Sequence, residues 1–182
     1  MENRPPRVEP PAEQRRPVAA RDLLEEARRL NVRQANKRRA TDSATVLSNV
    51  YFRLGDVATA RKWLLTAVAE AAEVGDVARW PLVLNIGAVM AFKAGRPGDV
   101  LRLAGASAKR SAEMGGSAPN LLVEVAEIVV EARDAVQDQD GPEAADQAWA
   151  EGEQLDDDAL TELLAQAESP QAGLTADVRA GH

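Results

Sequence analysis

Apolar residues recur along the chain at three- and four-residue spacings, which is the pattern of helices with one buried face. One such stripe consists of Val46, Leu47, Val50, Tyr51 and Leu54. A second stripe begins directly after the turn at Gly55-Asp56 and consists of Ala60, Trp63, Leu64, Ala67, Val68 and Ala71. So short a connection predicts that the two helices pack antiparallel.

Glycines mark the ends of these stripes at regular distances. Gly55 and Gly95 are 40 residues apart, and so are Gly75 and Gly115. Two interleaved pairs with the same offset indicate an internal repeat. Glycine just past a helix end is also the usual left-handed terminator. Each repeat is therefore predicted to be a pair of helices.

The same reasoning predicts the rest of the domain organisation. Further helices are expected over 22–34, with Asp22 as the cap, and over 79–94, 99–114, 121–136, 143–149 and 156–167. Prolines at positions 5, 6, 10, 11 and 17 oppose regular structure, so 1–19 is predicted to be a disordered Pro/Arg-rich arm. Residues 20–168 form the predicted repeat domain, and 169–182 a flexible tail.

Composition agrees with an all-α class. The chain has 182 residues, is 45% hydrophobic and has only 3% aromatic residues, which suits closely packed helices with small side chains. It has no cysteine, which excludes disulfides and thiolate metal sites. There is no long apolar run and no signal-peptide core near the start, so we expect a cytoplasmic protein without membrane contact.

Charge is distributed unevenly. Residues 1–39 hold 11 Lys and Arg against 6 Asp and Glu, whereas the remainder holds 11 against 23. From Glu124 to Asp177 there are 16 acids and a single base, Arg133. The acidic part should repel nucleic acid, and it could attract the basic part of another copy, so self-association is one possible behaviour.

The first helix pair resembles the tetratricopeptide repeat. With Gly55-Asp56 as the inter-helix turn, the family's large, small and aromatic positions fall on Leu47, Ser48, Tyr51, Ala60, Leu64 and Ala67. The second repeat departs from the pattern at Gly87, Ala88 and Ala91. The resemblance implies antiparallel helix pairs stacked as a short solenoid.

A narrower resemblance lies in the segment 100–164. The phrases Leu-Arg-Leu-Ala-Gly-Ala-Ser-Ala at 101–108 and Ala-Trp-Ala-Glu-Gly at 148–152 are similar to the C-terminal helical repeats of large actinobacterial-type regulators. Those regulators are LuxR-type and related signal-transducing ATPases. The resemblance implies a sensory or interaction module, because the chain has no phosphate-binding Gly-x-x-x-x-Gly-Lys loop and no helix-turn-helix follows the repeats.

Catalytic chemistry finds no support in the residues. The only histidine, His182, is the last residue, where nothing could orient it as a base or ligand. Asp156, Asp157 and Asp158 are consecutive, so on a helix they would point apart, and one of them is expected to cap the last helix. We therefore predict a non-enzyme with no cofactor and no metal.

Partner-binding candidates come from two features. Trp80 stands beside Arg79 at the start of a helix, where it could be a core residue or an anchor for a peptide. The basic cluster could be a solvated face paired with Glu25 and Glu26, or a contact for an acidic partner. Its candidate contact residues are Arg28, Arg29, Arg33, Arg38 and Arg39. Trp63 and Trp149 are predicted to pack between repeats.

Two functional classes follow. The preferred one is a non-catalytic module with tetratricopeptide-like repeats that binds a protein or peptide in a regulatory or signalling pathway. The alternative is a transcription-linked regulator that contacts nucleic acid through its basic N-terminal segment, or a remnant of a larger regulator. Aromatic residues do not interleave with the arginines, which makes nucleic acid the weaker expectation.

Overall fold

The computed structural model describes residues 12–115 and 123–166, and those ranges are built from helices joined by turns, with no strand. In chain order the α-helices are α1 (Ala12–Arg33), α2 (Lys37–Arg53), α3 (Val57–Val74), α4 (Trp80–Lys93), α5 (Pro97–Glu113), α6 (Val123–Asp140), α7 (Ala144–Gln154) and α8 (Asp157–Gln166). A 3-10 turn, Val77–Arg79, leads into α4. The predicted all-α class is confirmed.

The turns between the first helices follow a strict spacing. Residues 35, 55, 75, 95 and 115 all have positive φ, with values of 55°, 81°, 63°, 71° and 74°. The four glycines therefore end helices in the left-handed region, as predicted. The fifth position, Ala35, escaped the sequence analysis because alanine rarely adopts this conformation. Helix ends thus recur every 20 residues from 35 to 115, which is half of the predicted repeat.

Packing joins the helices into one hydrophobic core. α2 packs between α1 and α3, α4 packs on α5, and α5 also contacts α6 and α7. The last helix, α8, returns to α3 in the middle of the array. The fully buried leucines at the centre are Leu47, Leu64, Leu84, Leu101, Leu103, Leu160 and Leu164. Within the described ranges, no helix is both long and apolar enough to cross a membrane.

The first helix begins earlier than the sequence predicted. α1 starts at Ala12, so it takes in residues 12–19, which we predicted to belong to the disordered arm, and Asp22 lies inside it rather than capping it. Residues 13–16, Glu-Gln-Arg-Arg, favour helix, and Pro17, in the second turn, removes one backbone hydrogen bond without ending α1. The rest of the predicted arm and the predicted tail lie outside the described residues.

The buried face of α2 is also rotated from the predicted stripe. Val46 is 45% exposed, whereas Ala40, Thr41, Ala44, Thr45, Leu47 and Ser48 are buried. Small residues dominate this face because α2 has helices on two sides, and they allow close approach. The hydroxyl groups of Thr41 and Thr45 satisfy themselves by donating to carbonyl oxygens one turn earlier.

The segment after α6 likewise forms a longer helix than expected. The sequence predicts a helix ending at Trp149, but α7 continues to Gln154 and includes Gly152. Gly152 does not end the helix, because it serves instead as the point where the backbone of α5 comes closest. Leu155 is extended, and Asp156 then caps α8 by accepting a hydrogen bond from the backbone N–H of Ala159 at 2.9 Å.

Candidate protein-interaction groove

An apolar groove of about 520 Å³ lies between α1 and α3. We call it the α1–α3 groove, and it is lined by Glu25, Arg28, Arg29, Val32, Arg33 and Trp63. Five of these residues lie on α1, and only Trp63 comes from α3. Val32 is 57% exposed although it is apolar. This face of α1 therefore presents an apolar side chain that the described part of the chain leaves largely uncovered.

Arg28 ties the two walls of the groove together. Its guanidinium donates to both carboxylate oxygens of Glu70 on α3, at 2.5 and 3.0 Å, and to the carbonyl oxygen of Ala40 at 2.6 Å. The same group lies over the ring of Trp63, with 4.9 Å between Cζ and the ring centroid. A planar guanidinium can make all of these contacts at once, whereas an ammonium cannot. The charge of Arg28 is therefore already neutralised within the fold.

Arg29 and Arg33 form the basic rim of the groove. Both pair with the same carboxylate, Glu26, at 2.8 and 3.9 Å. Their side chains are 67% and 69% exposed, so these ion pairs contribute little to stability. The predicted pairing of Glu26 with Arg29 and Arg33 is confirmed. Two guanidinium groups with one acid between them leave this rim net positive and open to an acidic partner.

Glu25 has a different partner from the predicted one. Its carboxylate accepts a hydrogen bond from the hydroxyl group of Tyr51 on α2. This hydrogen bond, partial burial and the negative charge of Glu25 together raise the pKa of Tyr51 to about 12. The carboxylate thus fixes α1 against α2 below the groove.

The other predicted arginines lie in the first turn of α2, Arg38 and Arg39, and just before α4, Arg79. Arg79 forms ion pairs with Asp42 and, at 3.3 Å, with Asp76. Arg38 reaches the same Asp76 at 3.4 Å and is 72% exposed. Arg39 is exposed as well, and its backbone N–H donates to the capping side chain of Asn36. Arg79 therefore holds two repeats together, and only Arg38 and Arg39 remain at the surface.

Trp80 is buried, which favours the core residue over the partner-binding anchor, the two alternatives that the sequence left open. It is only 5% exposed, at the start of α4, and the guanidinium of Arg110 lies over its ring at 5.0 Å. Pro81 directly after it is suited to the first turn of the helix. Trp63, which was predicted to pack between repeats, is partly buried and forms the α3 wall of the groove.

A second cleft, of about 500 Å³, lies where α5 begins, beside α6 and α7. Of the five charged residues that line it, all but Asp140 pair with one another. Arg102 pairs with Asp99 at 3.1 Å and with Glu151 at 2.9 Å, and Arg96 also pairs with Asp99. Hydrogen bonds from Arg102 and Gln147 hold the pKa of Glu151 below its usual range. These ion pairs hold α5 against α7 and leave neither arginine of the lining unpaired.

The predicted acidic triplet divides its roles. Asp156 caps α8, and Asp157 pairs with Arg110 at 2.5 Å. Within the described ranges, no three potential ligand residues come together in a group that could hold a metal ion. His182 lies outside those ranges.

Known proteins offer no guide to this arrangement: neither the family models, nor the curated proteins, nor the solved structures give a match to the chain. The groove must therefore be interpreted from its own chemistry.

Sequence reasoning found the arginines of the groove and missed its apolar part. Val32 was passed over because it interrupts a run of polar residues, and a single valine gives no periodic signal. Glu70 was missed because it is 42 residues from Arg28. The 40-residue offset could have suggested that α1 and α3 are neighbours, since both precede a left-handed residue at the end of a repeat.

Proposed function

We propose that this chain is a non-catalytic interaction module, in which tetratricopeptide-like helix pairs form a short solenoid that binds a protein or peptide partner. The observation that carries this proposal is the α1–α3 groove, where exposed Val32 and half-buried Trp63 lie beside exposed Arg29 and Arg33. Apolar anchors with an arginine rim are typical of protein-binding surfaces.

Charge favours a protein over nucleic acid as the partner. Phosphate binding requires several unpaired cations along one face. Here Arg28 is neutralised by Glu70, Lys37 lies 3.4 Å from Glu73, and Arg38 lies 3.4 Å from Asp76. The acids of α3 and of the turn that follows it thus pair with the bases of α1 and α2. A local contact to one acidic segment fits this pattern better than a long polyanion.

The pathway is proposed from the sequence resemblance. The phrases at 101–108 and 148–152 are similar to the helical repeats of signal-transducing regulators, which supports a regulatory or signalling role in the cytoplasm. In such a role the chain would supply recognition, and other proteins would supply nucleotide hydrolysis or DNA binding.

Affinity capture with matched variants tests this function. Purified chain is used as bait in the native cell extract, at low and at high salt, and stoichiometric partners are counted. Val32→Asp places a charge in the groove, whereas Val130→Asp changes an equally exposed valine, 60% against 57%, on α6. We expect one stoichiometric protein to be retained by the parent chain and by Val130→Asp, and to be lost from Val32→Asp. If both variants still retain the partner, it binds outside the α1–α3 groove. If the folded parent chain recovers no partner, the proposal is overturned.

A further inference from the structure

The groove next to the α1–α3 groove is already filled, and its occupant is α8. Arg61 on α3 donates to the carbonyl oxygen of Ala165 at 2.8 Å, and Arg110 on α5 donates to Asp157 at 2.5 Å. Arg96, just before α5, donates to the carbonyl oxygen of Gln166. α8 thus lies between α3 and α5, and we call this space the α3–α5 groove. Basic side chains hold α8 at both ends.

Apolar contacts hold the middle of α8. Leu160 and Leu164, four residues apart, are both fully buried. Leu164 occupies the space where a Cβ would lie on Gly87 of α4, and it lies beside Leu103 of α5. The ligand in this groove is therefore an acidic amphipathic helix whose leucines point inward and whose first turn, with Asp157 and Asp158, is negatively charged.

The two grooves are equivalent positions in the repeat. α1, α3 and α5 end just before the left-handed residues Ala35, Gly75 and Gly115, which are spaced 40 apart. The α1–α3 and α3–α5 grooves are therefore formed by equivalent helix pairs. By the same offset, Trp63 takes the position of Leu103, and Leu47 takes the position of Gly87. Because Leu47 fills the position of Gly87, the α1–α3 groove has no space like the one that receives Leu164. Its apolar surface consists instead of Trp63 and Val32.

The basic group lies on opposite walls of the two grooves: on α5 in the α3–α5 groove and on α1 in the α1–α3 groove. Arg110, which meets the acidic first turn of α8, corresponds by offset to Glu70, and Glu70 is neutralised by Arg28. In its place, Arg29 and Arg33 lie towards the carboxyl end of α1, which corresponds to the end of the α3–α5 groove where Arg110 holds α8. The two grooves thus share an apolar surface and a basic group at the same end.

We propose that the α1–α3 groove binds an acidic amphipathic helix of a partner protein, in the manner in which the α3–α5 groove binds α8. The helix runs antiparallel to α1. Its acidic first turn meets Arg29 and Arg33, and apolar residues at i and i+4 pack on Val32 and Trp63. This inference rests on the proposed function and names the chemical class of its partner.

A synthetic peptide with the sequence of residues 156–166 is the probe, since it reproduces α8. It is labelled with a fluorophore and titrated with the intact chain, and binding is followed by anisotropy. We expect saturable binding that falls about tenfold or more when Arg29→Glu and Arg33→Glu are combined, because both attraction and register depend on these charges. A peptide in which both leucines are alanine should bind at least about tenfold more weakly than the parent peptide.

Two control variants separate the possible sites. Arg53→Glu with Lys93→Glu changes the net charge by the same amount at exposed positions on α2 and α4, and should leave the affinity within about twofold. Arg110→Gln weakens only the α3–α5 groove and should also leave it within about twofold, because the peptide does not replace α8. If the double reversal on α1 reduces the helical circular dichroism, Arg29→Gln with Arg33→Gln takes its place.

Three results would overturn the inference: no saturable binding at about 1 mM peptide, equal loss in the α1 variant and in the charge-matched control, or loss with Arg110→Gln alone. The outcome for the proposed function can be told apart from the outcome for the acidic-helix ligand. If affinity capture recovers a partner that depends on Val32 while the peptide does not bind, the chain remains an interaction module and only the acidic-helix ligand is wrong.

Discussion

The carbonyl oxygen of Arg102 in α5 occupies the space in which Gly152 of α7 would carry a Cβ. Gly105 of α5 meets the backbone of Trp149 in the same way, so the two helices are in backbone contact at two successive levels. Glycine alone permits so close an approach. This contact holds α7 on α5, and Lys109 adds a bond from α5 to the carbonyl oxygen of Glu153, at 2.6 Å. Only two residues separate α7 from α8, so this contact also fixes where α8 enters the α3–α5 groove.

Substitution of Gly152 by alanine should therefore destabilise the fold. The new methyl group meets backbone, which cannot rotate away, and overpacking of this kind costs about 1–3 kcal/mol. The free energy of unfolding in urea measures the loss. Gly98→Ala in α5 is the control, because its Cβ would meet only the end of the Arg102 side chain, at 3.2 Å. Equal stability of the two variants would show that α5 and α7 are not in backbone contact.

Ala35 offers the opposite change. It has a φ of 55°, a conformation that costs an L-residue about 1–2 kcal/mol and that glycine adopts freely. Ala35→Gly should therefore stabilise the protein, by roughly 0.5–1 kcal/mol after the greater entropy of the unfolded glycine chain is subtracted. Gly75→Ala, at the equivalent position, should be destabilising. Thermal unfolding of both variants checks the pair, and a loss of stability in Ala35→Gly would contradict the left-handed assignment.

The ion pair between Arg28 and Glu70 should show a clear coupling energy. Both side chains are largely buried, at 12% and 27% exposure, and two hydrogen bonds join them. A double-mutant cycle with Arg28→Met and Glu70→Gln should give about 1–2 kcal/mol. The same cycle on the more exposed pair Arg133 and Asp146 should give less than about 0.5 kcal/mol. Equal values would mean that Arg28 does not join α1 to α3.

The single tyrosine of the chain allows a direct titration of the α1–α2 contact. Tyr51 has its pKa raised to about 12, first by its hydrogen bond to Glu25 and then by burial. The ultraviolet absorbance of the phenolate should therefore report a midpoint near this value in the folded chain. Glu25→Gln, which removes the negative charge, should lower the pKa towards 10, the ordinary tyrosine value. An unchanged midpoint would show that Glu25 is not the partner.

This shift also fixes the direction of a pH effect on stability. The folded pKa lies above the unfolded one, so the contribution of Tyr51 is fully present below about pH 10 and is lost as the pH rises towards 12. Denaturation at increasing pH should show this loss in the parent chain and a smaller one in Glu25→Gln.

The helices could be predicted because the spacing of nearby apolar residues determines them. The repeat could be predicted because glycines recur at a fixed distance along the chain. The glycines at 55, 75, 95 and 115 and the apolar stripe of α3 are examples. The boundaries were less certain: the prolines argued against α1 before residue 20, whereas helix-forming residues on either side of Pro17 extend it to Ala12.

The groove depended on information that neighbouring residues do not contain. Arg28 could be identified as part of a basic cluster, but its partners Glu70 and Trp63 become visible only when α1 and α3 are placed side by side. Trp80 shows the converse, since a tryptophan next to an arginine at a helix start looks the same in sequence whether it is exposed or buried. The return of α8 to α3, across about a hundred residues of chain, has no local signal at all.

We propose that the α1–α3 groove is the surface on which this chain binds another protein. Photo-crosslinking in the native cell tests it most directly, with a benzophenone amino acid placed at position 32 in one variant and at position 130 in another. We predict one discrete heavier adduct from position 32, abolished by Arg29→Glu with Arg33→Glu, and none from position 130. Adducts of equal yield from both positions, or from position 130 alone, would contradict the claim.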